Sequence, residues 1–302
     1  MNSLFIRCSF ACVLLLAGTP ILKADDASSQ RRVLAADYST KRIAIVNAQG
    51  GLDWEYPIRD IHDAWLLPNG NLLFQTSWTQ ILEVTSDKKI VWQYDAGKQN
   101  GNAGKQVEVH AFQRLESGLT MIAESGPGRI IEVDATGKIH KEIKLQVARP
   151  MPHRDTRLVR KLADGHYLVC QEGDGLVREY DNSGKIVWEY NAKAQVYSAQ
   201  RLPDGNTLVG CGSGNRVVEV DRSGREVWSV QKNDLPGITL AWVTMVERRP
   251  NGNTVIVNCH AGPNNPQVIE VTRDKKVVWT FKDFKHFGNS LPVARILDDA
   301  AK

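Results

Sequence analysis

A four-strand unit recurs along this 302-residue chain, and the first copy lacks a strand that the end of the chain has to spare. The unit is plainest in DAWLLPNGNLLFQTSWTQILEVTSDKKIVWQYDA, TRLVRKLADGHYLVCQEGDGLVREYDNSGKIVWEYNA, SAQRLPDGNTLVGCGSGNRVVEVDRSGREVWSV and TMVERRPNGNTVIVNCHAGPNNPQVIEVTRDKKVVWTF. HAFQRLESGLTMIAESGPGRIIEVDATGKIHKEIKL is a weaker copy between the first two. The opening copy, RVLAADYSTKRIAIVNAQGGLDWEYP, has only the last three strands, and VARILDD at 293–299 matches the missing first. An array that starts a strand short and ends with the spare is closing a ring. Repeats of this length and content predict propeller blades rather than a solenoid. Closure also removes the open edge that a linear array must cap. The expected fold is all-β: a six-bladed propeller of four-stranded antiparallel blades, closed by the C-terminal strand.

The turns carry the pattern. Asn69-Gly70, Ser117-Gly118, Asp164-Gly165, Asp204-Gly205 and Asn251-Gly252 mark the first hairpin of each full blade, and such pairs predict tight turns with positive φ at both central residues. The flanking strands alternate or run apolar, as NTLVGC, RVVEV and QVIEV do, which suits sheets buried between neighbours. Four residues after a second turn comes a tryptophan: Trp54, Trp92, Trp188, Trp228 and Trp279, with Lys141 replacing it in the third blade. That periodicity assigns these rings to wedging one blade against the next rather than to a ligand.

Residues 1–24 read as a cleaved signal peptide. Arg7 precedes CSFACVLLLAG, a run too short to span a bilayer, and Leu22-Lys23-Ala24 supplies a small-residue exit. The expected product is an exported protein with no transmembrane anchor, residues 25–302 forming one propeller domain. Arg7 and Lys23 lie in the leader, so the net charge of +4 falls to +2, spread over the turns with both signs interleaved. That excludes a nucleic-acid footprint. Cys170, Cys211 and Cys259 remain, an odd number, and read as small buried thiols rather than a disulfide framework.

DNSGKIVWEY and DRSGREVWSV resemble the repeat of quinoprotein-like (PQQ) propellers, the superfamily of PQQ-dependent alcohol dehydrogenases and of the outer-membrane assembly propeller lipoprotein. The resemblance implies architecture. Those dehydrogenases are much longer, and no vicinal cysteine pair is present, so PQQ itself is not an expected cofactor. A narrower resemblance joins His62-Asp63 and Leu67-Pro68-Asn69-Gly70-Asn71 to the His-Asp and Leu-Pro-Asn-Gly-Asn stretch of bacterial arylsulfotransferases, exported six-bladed propellers that pass a sulfuryl group through histidine.

In an antiparallel blade, residues before the innermost strand share one face with residues after the second. His62, His110, His153, His260 and His286 occupy such positions, as do Glu124 and Glu172, while His140 sits in an outer strand. His62, His110, Arg157, Tyr197 and Thr244 each stand eight residues before their hairpin glycine, which places them in one register on successive blades. The expected site is a polar funnel at the channel mouth. His62, His110 and Arg157 are the candidate catalytic cluster, and His153, Arg154, Tyr197, Trp242, His260, Glu124 and Glu172 the candidate ligand contacts. Imidazoles beside a guanidinium suit an oxyanion, acid–base work or transfer through imidazole. Imidazoles with Glu124 could also hold a divalent ion, though no local ligand spacing marks one. The sequence therefore points to a small-molecule or saccharide-sized ligand, or a protein partner, with a transferase-like or lyase-type enzyme as the alternative.

Overall fold

In the computed structural model, which describes residues 31–297, six antiparallel sheets of four strands form the ring with almost no helix. Its inner hairpins are built differently from the expected two-residue turn. Gly70, Gly118, Gly165, Gly205 and Gly252 have φ between 82° and 89°, but the residue before each stays at negative φ. Leu67 N–H bonds to the Asn71 carbonyl and Gly70 N–H to the Leu67 carbonyl, so a three-residue loop closes on a single left-handed glycine. The Asn69 carboxamide oxygen instead accepts the Asn71 N–H at 3.0 Å, and Asp164, Asp204 and Asn251 do the same in their blades. Asn and Asp are needed here as side-chain acceptors.

Blade 1 is completed by the far end of the chain. Val293–Ile296 pairs antiparallel with Val33–Asp37, Val33 opposite Ile296 and Ala36 opposite Val293. Residues 298 and 299 of the expected closing segment, like the leader at 1–24, lie outside the described residues. The other blades run Ala64–Asp95, Glu108–Lys144, Val159–Asn191, Ser198–Val230 and Trp242–Phe281, each in simple up-and-down order.

The tryptophans belong to a larger inter-blade device. Apart from Trp54, which faces Ile45, each sits in register with a glutamate on the neighbouring strand, as Glu179 does with Trp188 and Glu219 with Trp228. An arginine of the following blade then lies over the ring while pairing with that glutamate. Arg201 is 4.6 Å from the Trp188 ring centroid and 2.5 Å from Glu179. Arg248 repeats this over Trp228 with Glu219, Arg114 over Trp92 with Glu83, and Arg31 over Trp279 with Glu270. Trp188 and Trp228 also donate their indole N–H to Arg222 and Arg273 carbonyls of the next blade, at 3.0 and 2.7 Å. Blade 3, with Lys141 at this position, substitutes Tyr167 of blade 4, whose hydroxyl donates to Glu132 at 2.5 Å between Lys141 and Lys161.

Trp188→Ala should accordingly destabilise the ring by about 3–5 kcal/mol, the usual cost of truncating a buried aromatic. Trp228, which is more open to solvent, should fall at or below the lower end. Chemical denaturation of both variants checks the order, and equal losses would contradict it. Cys170 and Cys211 are free and buried in one cluster between blades 4 and 5, and Cys259 is free and buried in blade 6.

Candidate functional site

On the face where innermost strands begin, the loops surround a cavity of about 290 Å³. Tyr38, His62, Arg157, Tyr197, Thr244 and His260 line it from five blades, with His153 and Arg154 from the loop entering blade 4, and Glu172, Trp242 and Pro292 completing the wall. The register argument thus gathers four of its five positions on the cavity.

The fifth, His110, lies just behind the wall, fully buried. It occupies an irregularity where Val109 pairs with Glu124 but Ala111 with Ala123, so one extra residue turns its side chain out of the ladder. A similar break between Val243 and Val246 releases Thr244 into the cavity. The His110 ring centroid is 4.8 Å from that of His62, and an Arg157 terminal nitrogen is 3.1 Å from its Nδ1. His62, His110 and Arg157 form one contiguous cluster.

His62 Nδ1 meets the Tyr197 hydroxyl, Trp78 stacks on the ring at 5.0 Å, and its Nε2 has no hydrogen-bond partner. Burial first, and the charge of Arg157 second, hold its pKa well below the ordinary imidazole value. The same two causes bring His110 down to about 4. Both rings are therefore neutral at pH 7. Arg157 ion-pairs with buried Glu172, which also lies 3.5 Å from Arg154. Arg154 is the more exposed guanidinium and the one open to a ligand. Across the cavity, the Tyr38 hydroxyl and His260 Nε2 are 2.9 Å apart.

Glu124 is not brought to the cavity. It is fully buried, accepting from the Tyr94 hydroxyl at 2.9 Å and pairing with Arg129 at 2.7 Å. It stands six residues after its hairpin glycine and Glu172 seven after its own, and a one-residue offset in a strand reverses the face. The ion site imagined around Glu124 falls with it. His286 is held by Asp283 at 2.8 Å, and His140 by Asp134 at 2.8 Å; neither lines the cavity.

Sequence reasoning missed Tyr38, Trp78 and Glu108. Tyr38 carried a usable signal, since it directly follows the second strand of blade 1. Glu108 accepts from His153 Nδ1 at 2.6 Å and lies 2.9 Å from His110 Nε2. Burial presses its carboxyl up, but the two imidazoles hold it down at about 2. Glu108, His110 and His153 are one of two groups among the described residues close enough to share an ion. The other, Asp164, His166 and Glu179, is a hairpin network in which Glu179 already receives Arg201 and Arg222, so a further cation is repelled there. His166 was overlooked in the sequence and belongs to that network.

Asp63, the second residue of the His-Asp pair, faces neither the cavity nor His62. It is fully buried in the channel, 2.7 Å from Arg160 and 3.4 Å from Arg295 of the closing strand, both of which lie over Trp65.

Residues 150–280 match the family described as outer membrane protein assembly factor BamB. No curated protein matches the sequence. A structure of a protein of unknown function from Bacteroides caccae is similar, with TM-score 0.76 and 26% identity over 88% of this chain and 98% of that one. Catalytically inactive virginiamycin B lyase from Staphylococcus aureus, with quinupristin, aligns at TM-score 0.59 and 12% identity over 86% and 87%. A streptogramin B lyase gives 0.58 and 14% over 86% and 85%. Those two share the fold alone. Among the described residues no helix is long and apolar enough to cross a membrane.

Proposed function

We propose that this chain, a propeller of PQQ-like repeats, binds a small molecule bearing an anionic or carbonyl oxygen in the channel-mouth cavity, and that His62 moves a proton on it. The observation that carries the reading is the His62 side chain: buried in the cavity wall, fixed through Nδ1 by Tyr197, its Nε2 unpartnered. In the tautomer that donates from Nδ1 to the Tyr197 oxygen, Nε2 keeps a bare lone pair, the form a general base requires. Arg154 supplies the charge for the ligand oxygen, while Glu172 neutralises Arg157 and so limits the site to an anion of low charge. The cavity volume fits a compact ligand, a monosaccharide acid or a similar organic acid. Acid–base elimination is the class of reaction such groups support without a covalent intermediate, and lyases occur on similar propellers. Export by the leader at 1–24 belongs to the same reading.

The test is a melting-shift survey of organic acids, sulfate esters and uronic acids against the mature protein, followed by product detection with whichever binds. Arg154→Ala should weaken binding about tenfold to a hundredfold, the loss of one charge-assisted hydrogen bond. His62→Ala should retain binding within a few-fold and lower turnover by about 10²–10⁴. Binding with no turnover in the wild type would leave a binding module and end the enzymatic reading. No binding by any anionic ligand would end both.

A further inference from the structure

His110 stands between two acceptor oxygens, with an Arg157 terminal nitrogen beside both of its ring nitrogens at 3.1 and 3.3 Å. Nδ1 lies 2.7 Å from the Thr156 carbonyl oxygen and Nε2 lies 2.9 Å from the Glu108 carboxylate. Both are acceptors, and a neutral imidazole has one N–H. Whichever partner it serves, a ring lone pair faces an oxygen lone pair on the other side. The Glu108 oxygen in question is also the one 2.6 Å from His153 Nδ1, so three donor atoms converge on one point.

We propose that Glu108, His110 and His153 bind a divalent transition-metal ion, zinc being the reference case. An ion on His110 Nε2 leaves the proton on Nδ1, where the Thr156 carbonyl takes it, and the opposed lone pairs become ligands. That carbonyl is the outer partner which fixes the tautomer of a metal-bound histidine. Two histidines and a glutamate form a recognised set for an ion that keeps an open position for water. Tetrahedral bonds of about 2.0–2.1 Å would need the donors about 3.3 Å apart, roughly 0.4 Å wider than the His110–Glu108 contact and 0.7 Å wider than the His153–Glu108 contact. Glu108 and His153 can give this, since their side chains are 21% and 45% exposed. Both also line a groove of about 530 Å³ on the outer side, which provides an entry path, and His153 lines the channel-mouth cavity too. A bound ion would stand in the wall between them, where its open position can polarise an oxygen or acidify a water. The site does not depend on the role given to His62.

Tag-free mature protein, stripped with chelator, should take up one equivalent of Zn²⁺ by calorimetry, with a change in tryptophan fluorescence because the Trp78 ring is 5.1 Å from that of His153. Co²⁺ should give the intense visible absorption of a site with fewer than six ligands. His153→Ala, at an exposed position, and Glu108→Gln should each weaken Zn²⁺ more than the about 10–100-fold that loss of an outer partner costs. His166→Ala, in the other cluster, should leave it unchanged. A wild type that takes up no stoichiometric ion, or His153→Ala and Glu108→Gln variants that bind Zn²⁺ as the wild type does, would overturn the assignment. So would loss of the ion in His166→Ala.

Discussion

Deletion of the chain from Leu291 onward is expected to abolish cooperative folding. The lost segment carries the innermost strand of blade 1 and, besides Ala294, three large buried apolar side chains, Leu291, Val293 and Leu297. Burying each contributes about 1.5–3 kcal/mol. Together they approach the about 5–15 kcal/mol that separates a folded domain from its unfolded chain. The strand left behind, Val33–Asp37, is buried at every residue and would present an unpaired apolar edge. Thermal melting and size-exclusion chromatography decide it: the truncated protein should show no transition near that of the intact chain, or should aggregate. A monomer melting as the intact chain does would refute closure as the source of stability.

Asp63→Ala is expected to cost about 3–5 kcal/mol, the penalty for removing one partner of a buried ionic group. One carboxylate holds two guanidiniums, Arg160 from blade 4 and Arg295 from the closing strand, across the channel. Without it the two charges confront each other, and burial already presses the Arg295 pKa down. The variant Asp63→Ala/Arg295→Leu should recover part of the loss, and a double-mutant cycle measures how much. Additive effects would mean that Asp63 acts through its backbone-facing bonds to Ala64 and Phe112 instead.

The fold was legible because its determinants are local. A hairpin glycine and the Asn or Asp before it act within five residues, so their spacing survives in the sequence even where the turn type was misjudged. The glutamates facing the tryptophans were also visible, as the Glu in ILEV, VREY, VVEV and VIEV, but their arginine partners belong to the next blade and only packing identifies them. The site was legible where register carries it: His62, Arg157, Tyr197 and Thr244 share a position counted from a turn. It failed where counting fails. Glu124 is displaced by a single residue, which in a pleated strand reverses its face. The aim of His110 depends on a ladder irregularity that no spacing encodes. Glu108 and Trp78 have no counterpart repeated from blade to blade.

The junction of blades 3 and 4 is the one place in the ring where tyrosine and two lysines replace the tryptophan–arginine stack. It is also the junction bridged on the upper face by His110, whose ring reaches Thr156 and Arg157 across it. A molecule or ion gripping both sides of a seam raises the free energy of opening it locally. Occupancy at the mouth, as proposed, would then share one thermodynamic equilibrium with opening of the blade 3–4 seam.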